Sequence, residues 1–354
     1  MIKTPAIKFE NEQLFILDQT LLPIRTQYIE INSVETAYEA IFSLRVRGAP
    51  AIGIMAAYSL YIIARQLYKT PYEDFKTKLD TAAEYLIKSR PTAVNLAWAI
   101  HQIQNVLKYK GNNSVEEMIQ IIRDIAIRIH DEDKKACEKI GKNGLTVLSN
   151  PCQIITHCNT GALATGGWGT ALGVVYAAVE KNYDIHVYVD ETRPLGQGAR
   201  LTFWELKQNK IPATLITDST AAFLMKQKKI DVVIYGADRI TKDGDVANKI
   251  GSYALAVAAR HHDIPCYVAA PFSTFDFTLA DGNQIPIEER SGKEILQIYE
   301  YNNNLLSLEN VYNPAFDITP AYLLSGIITE YGVLRPPLKQ AINKVYKQIL
   351  EETK

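Results

Sequence analysis

Residues 152–173 read CQIITHCNTGALATGGWGTALG, and this stretch decides the fold. It opens with a short apolar run from Cys152 to Thr156, bounded by polar residues, which reads as a buried strand. The run closes in His157, Cys158 and Asn159, and small residues then lead into a helical segment. The same rhythm recurs downstream: DIHVYVD at 184–190, ATLIT at 213–217, IDVVIYGAD at 230–238 and IPCYVAA at 264–270. Strands about 30 residues apart, with helical segments between them, predict right-handed βαβ units and a parallel sheet. The expected fold is therefore α/β. Residues 131–354 form a doubly wound, Rossmann-like catalytic domain.

The preceding residues, 1–130, read as a smaller, mainly helical domain. EQLFILDQTLLP (12–23) and TQYIEIN (26–32) alternate and predict a short β-hairpin. Ser33 is placed to cap the helix that begins VETAYEAIF, with a glutamate close behind. Further helices are expected over 49–68, 71–89, 92–110 and 115–144, with KGNNS (110–114) as a turn.

Composition narrows the function classes. The chain has 354 residues, 47% hydrophobic and 22% charged, enough to bury cores without staples. A net charge of -1 provides no field for nucleic acid or an anionic membrane. The most apolar stretch, 49–64, is shorter than the roughly 20 residues that span a bilayer. The start, MIKTPAIKFENEQLF, lacks the pattern of a signal peptide. Cys137, Cys152, Cys158 and Cys266 show no Cys-x-x-Cys spacing, which suits a reducing cytoplasm and argues against a zinc ribbon. His157, His261 and His262 have no ligand spacing, so no metal is expected.

In doubly wound sheets, ligands bind beyond the carboxyl ends of the strands. Those ends carry Cys158 and Asn159; Asp190, Glu191, Thr192 and Arg193, then Gln197 and Arg200; Asp218; and Asp238 with Arg239. Polar and titratable groups thus gather at one edge of an apolar sheet. A dinucleotide site would need Gly-x-Gly-x-x-Gly directly after a strand, and GGWGTALG has no third glycine at that spacing, so no cofactor is expected. Two segments instead suit phosphate. RVRGAPAIG (45–53) sets Arg47 and Gly48 before a helix opened by Pro50, and SRPTAVNL (89–96) repeats the device with Arg90 and Pro91. Each also reads as an ordinary interhelical turn with a solvated arginine.

Taken together, RGAPAIG, SRPTAVNL, HCNTGALAT, DETRPLGQGARLT, GADRITKDGDVANKIGSYALAV and NPAFDITP, in that order from Arg47 to Pro320, make the chain resemble the methylthioribose-1-phosphate isomerases. That family is related to the regulatory alpha, beta and delta subunits of the eukaryotic guanine-nucleotide exchange factor for translation initiation. The resemblance implies an aldose–ketose isomerase of methionine salvage, converting 5-methylthioribose 1-phosphate to 5-methylthioribulose 1-phosphate. It implies Cys158 and Asp238 as the catalytic pair. It implies Arg47, Gly48, Ala49, Arg90, Gln197, Asn248 and Lys249 as substrate-binding residues, and a homodimer as the assembly. Phe203 departs from the family pattern, which has a small residue there.

The chemistry suits these residue types. The substrate's anomeric carbon carries phosphate, so the ring must open before or during isomerisation, and the ring oxygen needs a proton donor. A carboxyl group in apolar surroundings can serve, which fits Asp238 after DVVIYGA. Cys158 can take the C2 proton as thiolate, or stabilise charge while a hydride moves from C2 to C1. The arginines, Lys249 and the Gly48 and Ala49 amides offset the phosphate. The small residues after Cys158 are expected to let the turn approach the substrate. Two alternatives stay open: a related pentose 1-phosphate such as 5-deoxyribose 1-phosphate or ribose 1,5-bisphosphate, and a non-catalytic regulatory module that binds a sugar phosphate or nucleotide.

Overall fold

The computed structural model describes residues 4–90, 94–108, 114–299 and 310–352. Two compact units emerge, Met1–Glu138 with Gly161–Gly169, and Lys139–Thr160 with Thr170–Lys354. The boundary expected at 130/131 falls inside a long helix (α5, below) that continues to Gly144. Pro91 and the expected turn at 110–113 lie outside the described residues.

In the first unit, β1 (Ile7–Glu10), β2 (Gln13–Leu17) and β3 (Tyr28–Ile31) form an antiparallel sheet in that order. The expected hairpin is β2–β3, and β1 adds a third strand. The helices are α1 (Val34–Phe42), α2 (Ala49–Gln66), α3 (Tyr72–Ile87), α4 (Val94–Lys108) and α5 (Val115–Gly144). Ser33 caps α1: its Oγ accepts from the Thr36 amide at 3.2 Å, and Thr36 completes the box. An apolar run on every side of α2 forces it into the middle of the helices, and Ala51 to Leu60 are all buried.

The second unit contains β4 (Cys152–Thr156), α6 (Ala171–Glu180), β5 (Ile185–Asp190), α7 (Phe203–Gln208), β6 (Ala213–Ile216), α8 (Thr220–Lys226), β7 (Val232–Tyr235), β8 (Arg239–Thr241), β9 (Val246–Lys249), α9 (Ser252–His261), β10 (Cys266–Ala269), β11 (Phe275–Asp276), α10 (Lys293–Leu296), β12 (Phe316–Thr319), β13 (Gly326–Thr329), β14 (Gly332–Leu334) and α11 (Leu338–Glu352). The main sheet runs β14-β13-β10-β7-β4-β5-β6, parallel except for β14. Its parallel strands follow the doubly wound order, with the reversal between β4 and β7. β7, β10 and β13 are buried at every position, as strands covered on both faces must be. A second sheet, β11-β8-β9-β12, was not foreseen. β9 pairs antiparallel with both β8 and β12, Lys249 opposite Phe316 and Asn248 opposite Asp317. The NPAFDITP segment is thus the backing strand of VANK.

Candidate functional site

Cys158 follows β4 and Asp238 follows β7, so the strand-order reversal sets them on neighbouring strand ends. The seam between these ends is tight. A Cβ added to Gly236 would sit 2.4 Å from Thr160 Cγ2, so only glycine lets the β7 end close on the β4 end.

The cysteine is held in an unusual backbone state. Cys158 has φ of 62° and Thr192 has φ of 65°, both in the left-handed region that costs residues with side chains of order 1–3 kcal/mol. Side chains from the β5 loop and from a π-helical turn at Gly198–Thr202 fix it. The Thr192 hydroxyl accepts from the Cys158 amide at 2.9 Å, and the Thr202 hydroxyl donates to the Cys158 carbonyl at 2.6 Å. Thr192 is itself anchored, because the Asp218 carboxylate accepts from its amide at 2.7 Å and from the Arg193 amide at 2.8 Å. Asn159 donates to Thr202 Oγ1 at 3.2 Å and to Glu205 Oε2 at 3.3 Å, and the Tyr176 hydroxyl donates to Glu205 Oε1 at 2.7 Å. Cys158 is 6% exposed.

Lys249 ends β9 and is 5% exposed. Burial pushes its ammonium down, while the charges of Cys158, Glu294 and Asp238 support the cation and Arg290 opposes it. Asn248 beside it donates to the Ser252 hydroxyl at 2.7 Å, which donates to the Lys249 carbonyl at 2.7 Å, fixing the junction of β9 and α9. Gln197 opens the π-helical turn at 7% exposure, and its buried Oε1 has no hydrogen-bond partner among the described residues. Asp238 is half-buried, with its amide donating to the Ala247 carbonyl at 2.9 Å. Its neighbour Arg239 pairs with Asp276 at 3.5 Å.

Arg47, Gly48, Ala49 and Arg90 belong to the first unit. Gly48 precedes α2 with φ of 93°, and a Cβ there would meet Ala164 O at 2.4 Å. The Ala51 amide donates to that same carbonyl at 3.2 Å, and Gln19 Nε2 donates to the Leu163 carbonyl at 2.7 Å. The small residues after Cys158 have a packing use that the sequence did not indicate. Gly161–Gly169 packs within the first unit, where His130 Nε2 lies 3.2 Å from the Gly166 carbonyl and Asp133 accepts from the Gly166 amide at 2.6 Å. The helix expected straight after the strand starts only at Ala171, and the Thr170 amide donates to the Thr160 carbonyl at 2.8 Å across the loop base. Phe203 is half-buried, with the Lys207 ammonium 5.3 Å over its ring.

Sequence reasoning missed Thr202, Glu205, Arg290, Glu294 and Asn313. Arg290 pairs with Glu294 at 2.6 Å and Glu288 at 2.9 Å, and Asn313 Nδ2 reaches Glu294 Oε2 at 3.2 Å. Thr202 and Asn313 stood in quoted motifs but were not singled out; the others are polar residues on loops and helices that no local pattern marks.

A model of the Initiation factor 2 subunit family matches residues 45–336. The chain is 49% identical to a methylthioribose-1-phosphate isomerase of Desulforamulus reducens over 342 residues, 96% of this chain and 98% of that protein. It is 47% identical to a 5-deoxyribose 1-phosphate isomerase of Moorella thermoacetica, covering 96% of each. A crystal structure of 5-methylthioribose 1-phosphate isomerase from Pyrococcus horikoshii is 40% identical, with a TM-score of 0.91 over 97% of this chain and 96% of that one. Together with the strand order and the motifs, these matches make the chain a member of the Initiation factor 2 subunit family, within its group of methylthioribose-1-phosphate isomerases.

Proposed function

We propose that this protein is an aldose–ketose isomerase that converts 5-methylthioribose 1-phosphate to 5-methylthioribulose 1-phosphate, a step of methionine salvage. The observation that carries the reading is that Cys158 and Asp238 follow β4 and β7, neighbouring strands where the order reverses, and it is supported by the buried Lys249, whose cation the charges of both favour.

In the proposed sequence, Asp238 gives its proton to the ring oxygen as the bond from C1 to that oxygen breaks. The Cys158 thiolate removes the proton from C2, and a C1–C2 double bond forms, giving an enol phosphate. Cys158 then returns a proton to C1. The C2 hydroxyl loses its proton to the Asp238 carboxylate, which resets the acid and leaves the ketone at C2. Lys249 offsets the charge of thiolate and phosphate in a site where water is scarce. Arg47, Arg90 and the amides of Gly48 and Ala49 bind the phosphate. Gln197, whose buried Oε1 awaits a donor, and Asn248 bind sugar hydroxyls.

A second reading, the same reaction on 5-deoxyribose 1-phosphate, is favoured by the Moorella relative. Initial rates on the two sugar phosphates decide between them. Faster turnover of the deoxy sugar overturns the first reading, and turnover of neither overturns both. We further infer a cytoplasmic homodimer. All four cysteines are free thiols, which suits a reducing compartment. Leu215, Phe223, Tyr253 and Val257 leave apolar surface exposed on β6, α8 and α9, and light scattering checks the dimer. No helix among the described residues is long and apolar enough to cross a membrane.

A further inference from the structure

His157 lies one residue before Cys158, is 1% exposed, and has both ring nitrogens engaged. Nε2 is 2.9 Å from the Ile250 carbonyl, which can only accept, so Nε2 carries a hydrogen. Nδ1 is 3.0 Å from Asp190 Oδ2. A neutral imidazole with hydrogen on Nε2 presents a lone pair at Nδ1, and an ionised Asp190 presents only lone pairs. Contact at this distance therefore needs a proton between the two atoms. The other carboxyl oxygen, Asp190 Oδ1, is buried with no hydrogen-bond partner among the described residues, so the imidazole is what holds this carboxyl.

We propose that His157 and Asp190 share one proton and form the positioning pair of this site, clamping the ends of β4, β5 and β9 so that Cys158 and Lys249 keep their mutual placement. The three elements meet at the ring: Cys158 follows His157, Thr192 follows Asp190 and caps the Cys158 amide, and Ile250 follows Lys249. Charged groups face the pair from each side. Asp218 approaches from the β6 end, Asp317 from β12 and Glu191 from the β5 loop, all favouring a retained proton. Burial works against the imidazolium, but the hydrogen bond and charge of Asp190, with Asp218 behind, hold His157 above its ordinary range. Burial likewise raises Asp190 against the pull of His157. The two titrate as a unit that keeps its proton. Once the proton leaves at alkaline pH, lone pairs oppose each other at hydrogen-bond distance and the clamp opens.

The inference rests on the isomerase reading for its kinetic arm only. Proton NMR of the whole protein, which needs no substrate, should give an imidazole N–H resonance far downfield of the amides that vanishes on alkalinisation. Asp190→Ala should lower kcat on the order of 10- to 100-fold, the cost typical of losing an orienting hydrogen bond behind a functional group, with KM within about threefold. In Asp190→Asn the carboxamide N–H can donate to a neutral Nδ1 and restore the geometry without a titrating proton. That variant should recover about tenfold of the lost kcat, as expected of a residue that positions rather than reacts. The proposal is overturned if the wild type has no such resonance at any pH, or if Asp190→Asn is as slow as Asp190→Ala. It is also overturned if Zn²⁺ is taken up stoichiometrically with loss of the resonance, since His157, Asp190 and Asp218 would then be a metal site.

Discussion

At the scale of single residues, the site depends on how Cys158 is held as much as on its being cysteine. Its positive φ is kept by Thr192 at the amide and Thr202 at the carbonyl. Thr192→Val keeps the volume but leaves a buried N–H without its acceptor. It should destabilise by about 1–3 kcal/mol in urea unfolding and lower turnover through a displaced thiol. The placement of Cys158 and Asp238 at neighbouring strand ends was legible from strand spacing, and the flanking motifs, which resemble an isomerase family, made them candidates. Thr202 and Glu205 were not, since their partners lie 44 and 46 residues away in the chain. Nothing local distinguishes a threonine that will meet a backbone carbonyl from one that will meet water.

At the scale of elements, the β4–β7 seam joins the two proposed catalytic groups, and a coupling experiment reads it. Gly236→Ala forces its Cβ against Thr160 Cγ2 and should destabilise by about 1–3 kcal/mol. Thr160→Ser removes that methyl, so the double variant should be more stable than the sum of the singles predicts, by thermal unfolding. The grip of α5 on the loop 161–169 gives a pH signature within the first unit. Burial lowers His130 to about 4, so its contribution is complete above its ordinary 6.5 and fades as pH falls towards 4. Burial raises Asp133 from 3.8 to about 6, so its contribution has the opposite slope, complete below 3.8 and lost as pH rises through 6. The two offset each other in the wild type. Asp133→Asn leaves the His130 slope alone, so the Tm of the variant relative to wild type should fall on acidification from 6.5 to 4. The long apolar strands and amphipathic helices were legible from period and length. The sheet β11-β8-β9-β12 was not, because strands of two to four residues carrying Arg, Asp, Asn and Lys have no period to read.

At the scale of the whole molecule, the chain folds as two units whose boundary ignores sequence order. Residues 161–169 follow β4 directly yet pack with Gly48, Gln19 and α5 in the first unit. Composition hid this: nothing in a run of small residues says which unit they pack against, and a Cβ on Gly166 would strike His130 at 2.5 Å. The doubly wound order itself was legible, because strand spacing and handedness leave few alternatives. The proposed activity rests on Cys158 and Asp238, set on neighbouring strand ends at the reversal of that order. Its most direct test is the initial rate of ketose phosphate formation from 5-methylthioribose 1-phosphate by wild type, Cys158→Ser and Asp238→Asn, run in D₂O. The account predicts turnover by the wild type with deuterium entering C1, and losses of at least about 100-fold in each variant with the fold intact. Near wild-type rates in both variants, or no ketose from the wild type, would contradict it.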